Sequence, residues 1–239
     1  VISVALIGPD GCGKTTIARR LEASLPVPAK YLYMGVSLDS SDAMLPTTRL
    51  LRALRRARGA RPDRAGPRDA RDLAARPRSR FRRAARDLRA LLGLAHRAAE
   101  QWYRQGLAWS WRRRGYVVLF DRHYFPDYYA YDVAPGALGR PLHRRLHGWL
   151  LSRAYPKPEL LVYLDAPAEI LHARKGEGTL ELLERRRRDY LALRDVVDDF
   201  EAVDATQPEA EVAARVAGLI CARLASARER RARKRRAHA

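Results

Sequence analysis

The sequence predicts an α/β protein built on a five-stranded parallel sheet with helices on both faces. Three observations carry that expectation. Five short apolar runs recur along the 239 residues, each separated from the next by a helix-like stretch. That alternation is the pattern of a parallel sheet covered on both sides. The first run leads directly into a glycine-rich loop and then a helix. Later runs end at Asp121, Asp165 and Asp204, at the carboxyl edge where open parallel sheets bind ligands.

The elements follow in order. Residues 1–7 (VISVALI) are apolar apart from Ser3, which fits a strand buried on both faces. The chain opens at Val1 on that strand. It is therefore read as lacking a short N-terminal piece, or as a domain cut from something longer. Gly8–Thr16 (GPDGCGKTT) is the loop, and residues 17–25 continue the helix until Pro26 and Pro28 end it. Residues 30–34 (KYLYM) form the second strand, and residues 35–41 (GVSLDSS) a loop at its carboxyl end. Residues 43–58 read as a helix carrying Leu45, Leu50, Leu51 and Leu54. Residues 59–80 hold Pro62, Pro67 and Pro77 among many charges and few large apolar groups, as a mobile insertion would.

Residues 81–114 form one long helix or two, stopped by Gly115. The third strand, residues 116–120 (YVVLF), ends in Asp121-Arg122-His123 and is followed by an aromatic loop at 124–132 (YFPDYYAYD). A helix at 138–153 precedes the fourth strand at 160–164 (LLVYL). The next helix runs through Arg174 and is broken at 175–178 (KGEG). Residues 180–194 are helical and carry the run Arg185–Arg188. The last strand spans 200–203 and the last helix 208–225. The expected organisation is one domain at 1–225, with an arginine-rich insertion at about 49–90, and a basic tail at 226–239.

The net charge of +20 is localised. Residues 49–90 hold 16 Arg against 4 Asp, and residues 226–239 hold 7 Lys and Arg against 1 Glu, so the rest is nearly neutral. Such segments bind nucleic acid or anionic membranes in a salt-dependent way. Only Phe81 within 49–90 is aromatic, which leaves little for base stacking, and the favoured reading is solvated chain. No run of 18 apolar residues exists to span a membrane. The two cysteines, Cys12 and Cys221, read as free thiols, because a disulfide would pin the glycine loop; that places the chain in the cytoplasm. His143 and His147 lie four apart without a further metal ligand and read as surface or packing residues.

The loop carries the chemistry. Gly8, Gly13, Lys14 and Thr15 fit G-x-x-x-x-G-K-[ST] between a strand and a helix. The backbone from Gly8 through Pro9, Asp10, Gly11, Cys12 and Gly13 to Thr16 is placed to wrap ATP phosphates. Lys14 reaches the β- and γ-phosphates, and the Thr15 hydroxyl holds Mg²⁺. Asp121, at the end of a buried strand, is a second candidate for Mg²⁺ or for taking a proton. The loop lacks arginine, so Arg174 and Lys175 are the candidates to meet transition-state charge, with Arg185–Arg188 in reserve.

With these residues in hand, the chain resembles the thymidylate kinase family of P-loop nucleotide kinases. GPDGCGKTT is similar to the family's G-x-D-G-x-G-K-[ST]-T, and Asp121-Arg122-His123 to its Asp-Arg-Tyr/His element. Residues 164–176 (LDAPAEILHARKG) resemble the strand and helix leading into an arginine-bearing lid, and residues 203–211 the turn near the adenine. The resemblance implies the P-loop kinase fold and transfer of the ATP γ-phosphoryl group to a nucleoside monophosphate, dTMP first. It puts Arg122 on the acceptor phosphate, with Arg97 a second candidate, and Asp10 near the acceptor sugar or a magnesium water. Two departures concern the acceptor. MGVSLDSSD stands where the family has Arg-Glu-Pro-Gly-Gly, and Ala130-Tyr131-Asp132 ends in Asp where Gln is usual. A nucleoside, sugar or other metabolite therefore stays open as acceptor. So do a nucleotide-gated nucleic-acid or membrane-binding role and a homodimer.

Overall fold

The structure is a computed structural model that describes residues 1–35, 43–57, 80–134, 140–176 and 178–236. In chain order the elements are β1 (Ser3–Ile7), α1 (Lys14–Ser24), β2 (Ala29–Tyr33), α2 (Pro46–Ala57), α3 (Arg80–Arg113) and β3 (Val117–Asp121). There follow α4 (Tyr124–Tyr128), α5 (Leu142–Trp149), β4 (Leu160–Asp165), α6 (Ala168–Lys175), α7 (Leu180–Leu191), β5 (Phe200–Asp204) and α8 (Glu209–Arg236). The strands form one parallel sheet in the order β2-β3-β1-β4-β5. The predicted α/β class and five-stranded parallel sheet are thus observed.

The chain divides into two compact units. One comprises residues 1–32, 110–122 and 158–239; the other comprises 33–109 and 123–157. The core of the first unit joins Val4 and Leu6 of β1, Leu119 of β3 and Val162 and Leu164 of β4 to Ile17 and Leu21 of α1 and to Val216 and Ile220 of α8. β1 is buried along its whole length. Ser3 is tolerated there because its N–H and hydroxyl both donate to Glu159 Oε2 at 2.6 Å, and Arg112 donates to the other oxygen. The register sets Leu6 beside Asp121 and Ile7 beside Tyr163. The loop that follows Ile7 therefore starts level with the ends of β3 and β4. The strand order reverses about β1, and ligands of open parallel sheets bind outside the carboxyl ends of the strands at such a point.

Several expectations are corrected. Residues 124–132 are helical rather than a loop: α4 continues into a π-helical turn at Tyr129–Val133. His123 Nδ1 accepts from Phe125 N–H at the start, and Pro126 sits in the first turn, where its missing N–H removes no helical bond. Of the one helix or two expected over 81–114, the structure has one, the 34-residue helix Arg80–Arg113. The last helix does not stop at 225; α8 runs on to Arg236, because alanine, arginine and lysine favour helix and no Gly or Pro interrupts them. The proposed mobile insertion at 59–80 and the loop at 35–41 fall almost wholly outside the described residues. No helix among the described residues is long and apolar enough to cross a membrane.

Candidate functional site

The glycine loop is shaped by close backbone approaches. Gly8 has φ +145°, and a Cβ there would lie 2.8 Å from the Leu164 carbonyl of β4. At Gly11, with φ +93°, it would lie 2.9 Å from the Leu171 carbonyl of α6. The loop is thus clamped between β4 and α6, with no room for side chains at either contact. Gly13 caps α1 without a side-chain bond, and the first turn of α1 carries no acid. Its N–H groups and positive dipole end are left for an anion. Lys14 is buried, and its ammonium donates to the carbonyls of Gly8 at 2.9 Å and Pro9 at 2.7 Å. Lys14 thereby ties the loop across its own mouth.

One residue further on, Thr15 Oγ1 donates to Asp121 Oδ2 at 2.5 Å, and the Tyr31 hydroxyl donates to the same oxygen at 2.9 Å. Asp121 is fully buried, and its Oδ1 has no hydrogen-bond partner among the described residues. A hydroxyl beside an under-satisfied carboxylate is an oxygen donor set suited to Mg²⁺. Among the described residues there is no cluster of three or more His, Cys, Asp or Glu that would hold a metal unaided. Mg²⁺ ordinarily completes its shell with water and substrate phosphates, so the pair fits that ion.

Asp10 is the electrostatic centre of the loop. Arg122 donates to its Oδ1, Lys175 Nζ lies 3.8 Å away, and Arg186 Nη1 lies 3.7 Å from Oδ2. Burial alone would raise its pKa, but Arg122, Lys14 and Lys175 outweigh that and hold it at about 2. Four cations from the loop, β3, α6 and α7 thus surround a single carboxylate, leaving a cationic surplus for anionic ligands. Arg122 reaches Asp10 from a left-handed backbone, φ +68°, the one non-glycine residue with positive φ among those described. That conformation is costly for a residue with a Cβ and concentrates at functional sites.

The predicted residues separate into groups. The structure brings Asp10, Lys14, Thr15, Asp121, Arg122 and Lys175 together in the first unit. Arg174 is not in that cluster: it donates instead to the Ala205 carbonyl at 2.8 Å. Arg186, one of the reserve arginines, stands where Arg174 was expected. Its neighbour Arg187 grips Asp165 with two bonds of 2.8 and 2.9 Å, so Asp165 anchors α7. Arg97 belongs to the second unit. There its Nε is buried without a hydrogen-bond partner among the described residues. Close by, burial pushes the Tyr128 hydroxyl up to about 12 against the pull of Arg97.

Two polar clusters of the second unit were not foreseen. Arg104, 1 % exposed, donates to the carbonyls of Ala43 at 3.0 Å and Gly35 at 2.9 Å and to the Tyr124 hydroxyl at 2.9 Å, and pairs with Glu100. It holds the backbone on both sides of segment 36–42. Asp132 binds His147 Nδ1 at 2.7 Å, with both side chains buried. His147 is therefore a packed, hydrogen-bonded residue.

No protein-family model matches the chain, and no curated protein matches it.

Proposed function

We propose that this protein is a Mg-ATP-dependent phosphotransferase with the P-loop kinase fold and a thymidylate-kinase-like core. The observation that carries the reading is the convergence of Lys14, Arg122, Lys175 and Arg186 on the glycine loop around Asp10. Phosphoryl transfer asks the protein mainly for positioning and charge neutralisation, and this arrangement supports both. Loop amides and Lys14 hold the donor phosphates. Arg122, whose planar fork suits a phosphate, orients the acceptor. Lys175 and Arg186 meet charge on the transferred group. Thr15 and Asp121 would hold Mg²⁺, which would neutralise charge on the donor phosphates. Asp10 keeps the basic side chains apart and aimed.

The acceptor is taken to be a nucleoside monophosphate, dTMP first. One observation favours a second reading, in which the acceptor differs. Asp132 stands where the related family has a base-reading Gln, and its carboxylate is hydrogen-bonded to His147. A carboxylate lacks the donor half of an amide. The test is a Mg-ATP phosphotransfer screen over nucleoside monophosphates, nucleosides and sugars, with products read by mass spectrometry. A thymidine diphosphate product is expected. Product from another acceptor alone selects the second reading, and no phosphorylated product from any acceptor overturns both.

A further inference from the structure

Helix α7 carries four consecutive arginines, Arg185–Arg188, and turns one of them toward the glycine loop. Arg186 Nη1 lies 3.7 Å from Asp10 Oδ2, whereas Arg185 and Arg188 are exposed. The turn of the helix gives the reason. At about 100° per residue, Leu183, Arg187 and Tyr190 fall on one face of α7, and all three are anchored. Leu183 is buried in the core. Arg187 donates from Nε and Nη2 to the two oxygens of Asp165 at 2.8 and 2.9 Å. Tyr190 stacks on Tyr163, with ring centroids 5.7 Å apart. Arg186 stands at the edge of that anchored face, while Arg185 and Arg188 project from the other side of the helix.

We infer that Asp165 is a positioning residue for phosphoryl transfer: its two-bond hold on Arg187 fixes the rotation of α7 that aims Arg186 at the glycine loop. The inference rests on the phosphotransferase reading, in which Arg186 meets charge on the transferred group. Asp165 suits this role for three reasons. It ends β4, and the carbonyl of the preceding residue, Leu164, is the one against which Gly8 is packed. Loop and anchor are thus one residue apart on a single strand. Its carboxylate is itself oriented, because the Tyr163 hydroxyl donates to Oδ1 at 3.0 Å. Finally, a guanidinium fork on a carboxylate sets direction as well as distance. The packing of Leu183 is non-directional, and Glu184, 3.8 Å from Arg187 Nη1, belongs to α7 itself and cannot fix its rotation. The fork is therefore what resists a turn of the helix about its own axis.

The test is a double-mutant cycle on the full chain. Arg186→Met, Asp165→Asn and the double variant are compared with wild type in two readouts. One is kcat with Mg-ATP and the acceptor that the product screen identifies. The other is calorimetric affinity for inorganic tripolyphosphate at fixed ionic strength. Arg186→Met is expected to lower kcat about a hundredfold, as loss of a preorganised charge does. Asp165→Asn is expected to lower kcat at least about tenfold through misplacement of Arg186, with the acceptor KM little changed. Once Arg186 is gone, Asp165→Asn should have no further effect on kcat or on tripolyphosphate affinity. A purely structural role would instead lower both backgrounds by the same factor. Arg187→Lys, which keeps the charge but lacks the fork, repeats the cycle should Asp165→Asn fail to fold, and the same non-additivity is expected. Wild-type kcat and affinity in the Asp165→Asn chain, or losses of equal factor with and without Arg186, overturn the inference and leave the phosphotransferase reading standing. A wild-type chain that phosphorylates no acceptor overturns that reading, and the inference falls with it.

Discussion

Asp10 joins the stability of the glycine loop to its charge. Its pKa of about 2 lies below the ordinary 3.8, so the folded state holds the carboxylate more tightly than the unfolded chain does. The sign is that of a depressed acid: the stabilisation is complete above about pH 4 and disappears as the pH falls toward 2. Its size at neutral pH is about 2 kcal/mol. Asp10→Asn should therefore lower the unfolding free energy by about that amount at pH 7. The gap to wild type should close between pH 4 and pH 2 in denaturant titrations. Arg122 supplies a second prediction at this scale. Arg122→Ala and Arg122→Gly both remove the guanidinium, so both should raise the KM of the acceptor strongly. The left-handed φ of +68° separates them in stability: the glycine variant should be the more stable by about 1 kcal/mol. Equal stabilities would mean the backbone at Arg122 is not strained. Lys14→Ala should retain the fold and lower turnover by at least about a hundredfold, as loss of a preorganised charge does.

At the scale of elements, the glycine loop is held by its neighbours, and the glycines should rank accordingly. Gly8→Ala and Gly11→Ala each push a Cβ onto a carbonyl of β4 or α6, whereas a Cβ at Gly13 meets nothing within 4 Å. The first two should cost more than about 2 kcal/mol, and Gly13→Ala roughly 1, the price of its positive φ alone. Thermal melts of the three variants test that order. Much of this element was readable beforehand, because glycine spacing, the apolar run before it and the helix after it are all local. What was not readable depends on long-range pairing. Arg104 looks like any solvated helical arginine until Gly35, Ala43 and Tyr124 are brought around it. Its replacement by Met would strand Glu100 beside Thr48, a loss of about 3 to 5 kcal/mol. The choice of Arg186 over Arg174 was hidden for the same reason: it turns on which face of α7 meets the loop, and Arg185–Arg188 offer every face. The aromatic stretch 124–132 was misjudged because its apolar residues are nearly continuous. Nothing in it distinguishes a helical period from a loop rich in tyrosine.

For the whole molecule, net charge is the property that the fold does not hide. At +20, self-repulsion opposes the compact state, and salt relieves it. On the proposed reading the glycine loop adds a second, local response: its cations and the α1 dipole would bind anions. The two can be separated. Raising sodium chloride should raise the melting temperature through screening. Sulfate at matched ionic strength should raise it further through occupancy of the loop, which stabilises by mass action. Lys14→Ala should abolish the extra sulfate increment while leaving the chloride response intact. A chain ending at residue 225 should show a smaller chloride response and keep the full sulfate increment. α8 makes its last core contact at Leu224, so that truncation removes charge from the helix end without opening the core. If the shortened chain lost the sulfate increment instead, the anion would be bound by the arginines of α8. The cation cluster around Asp10 would then owe its arrangement to internal ion pairing, and the phosphotransferase reading would lose its physical basis.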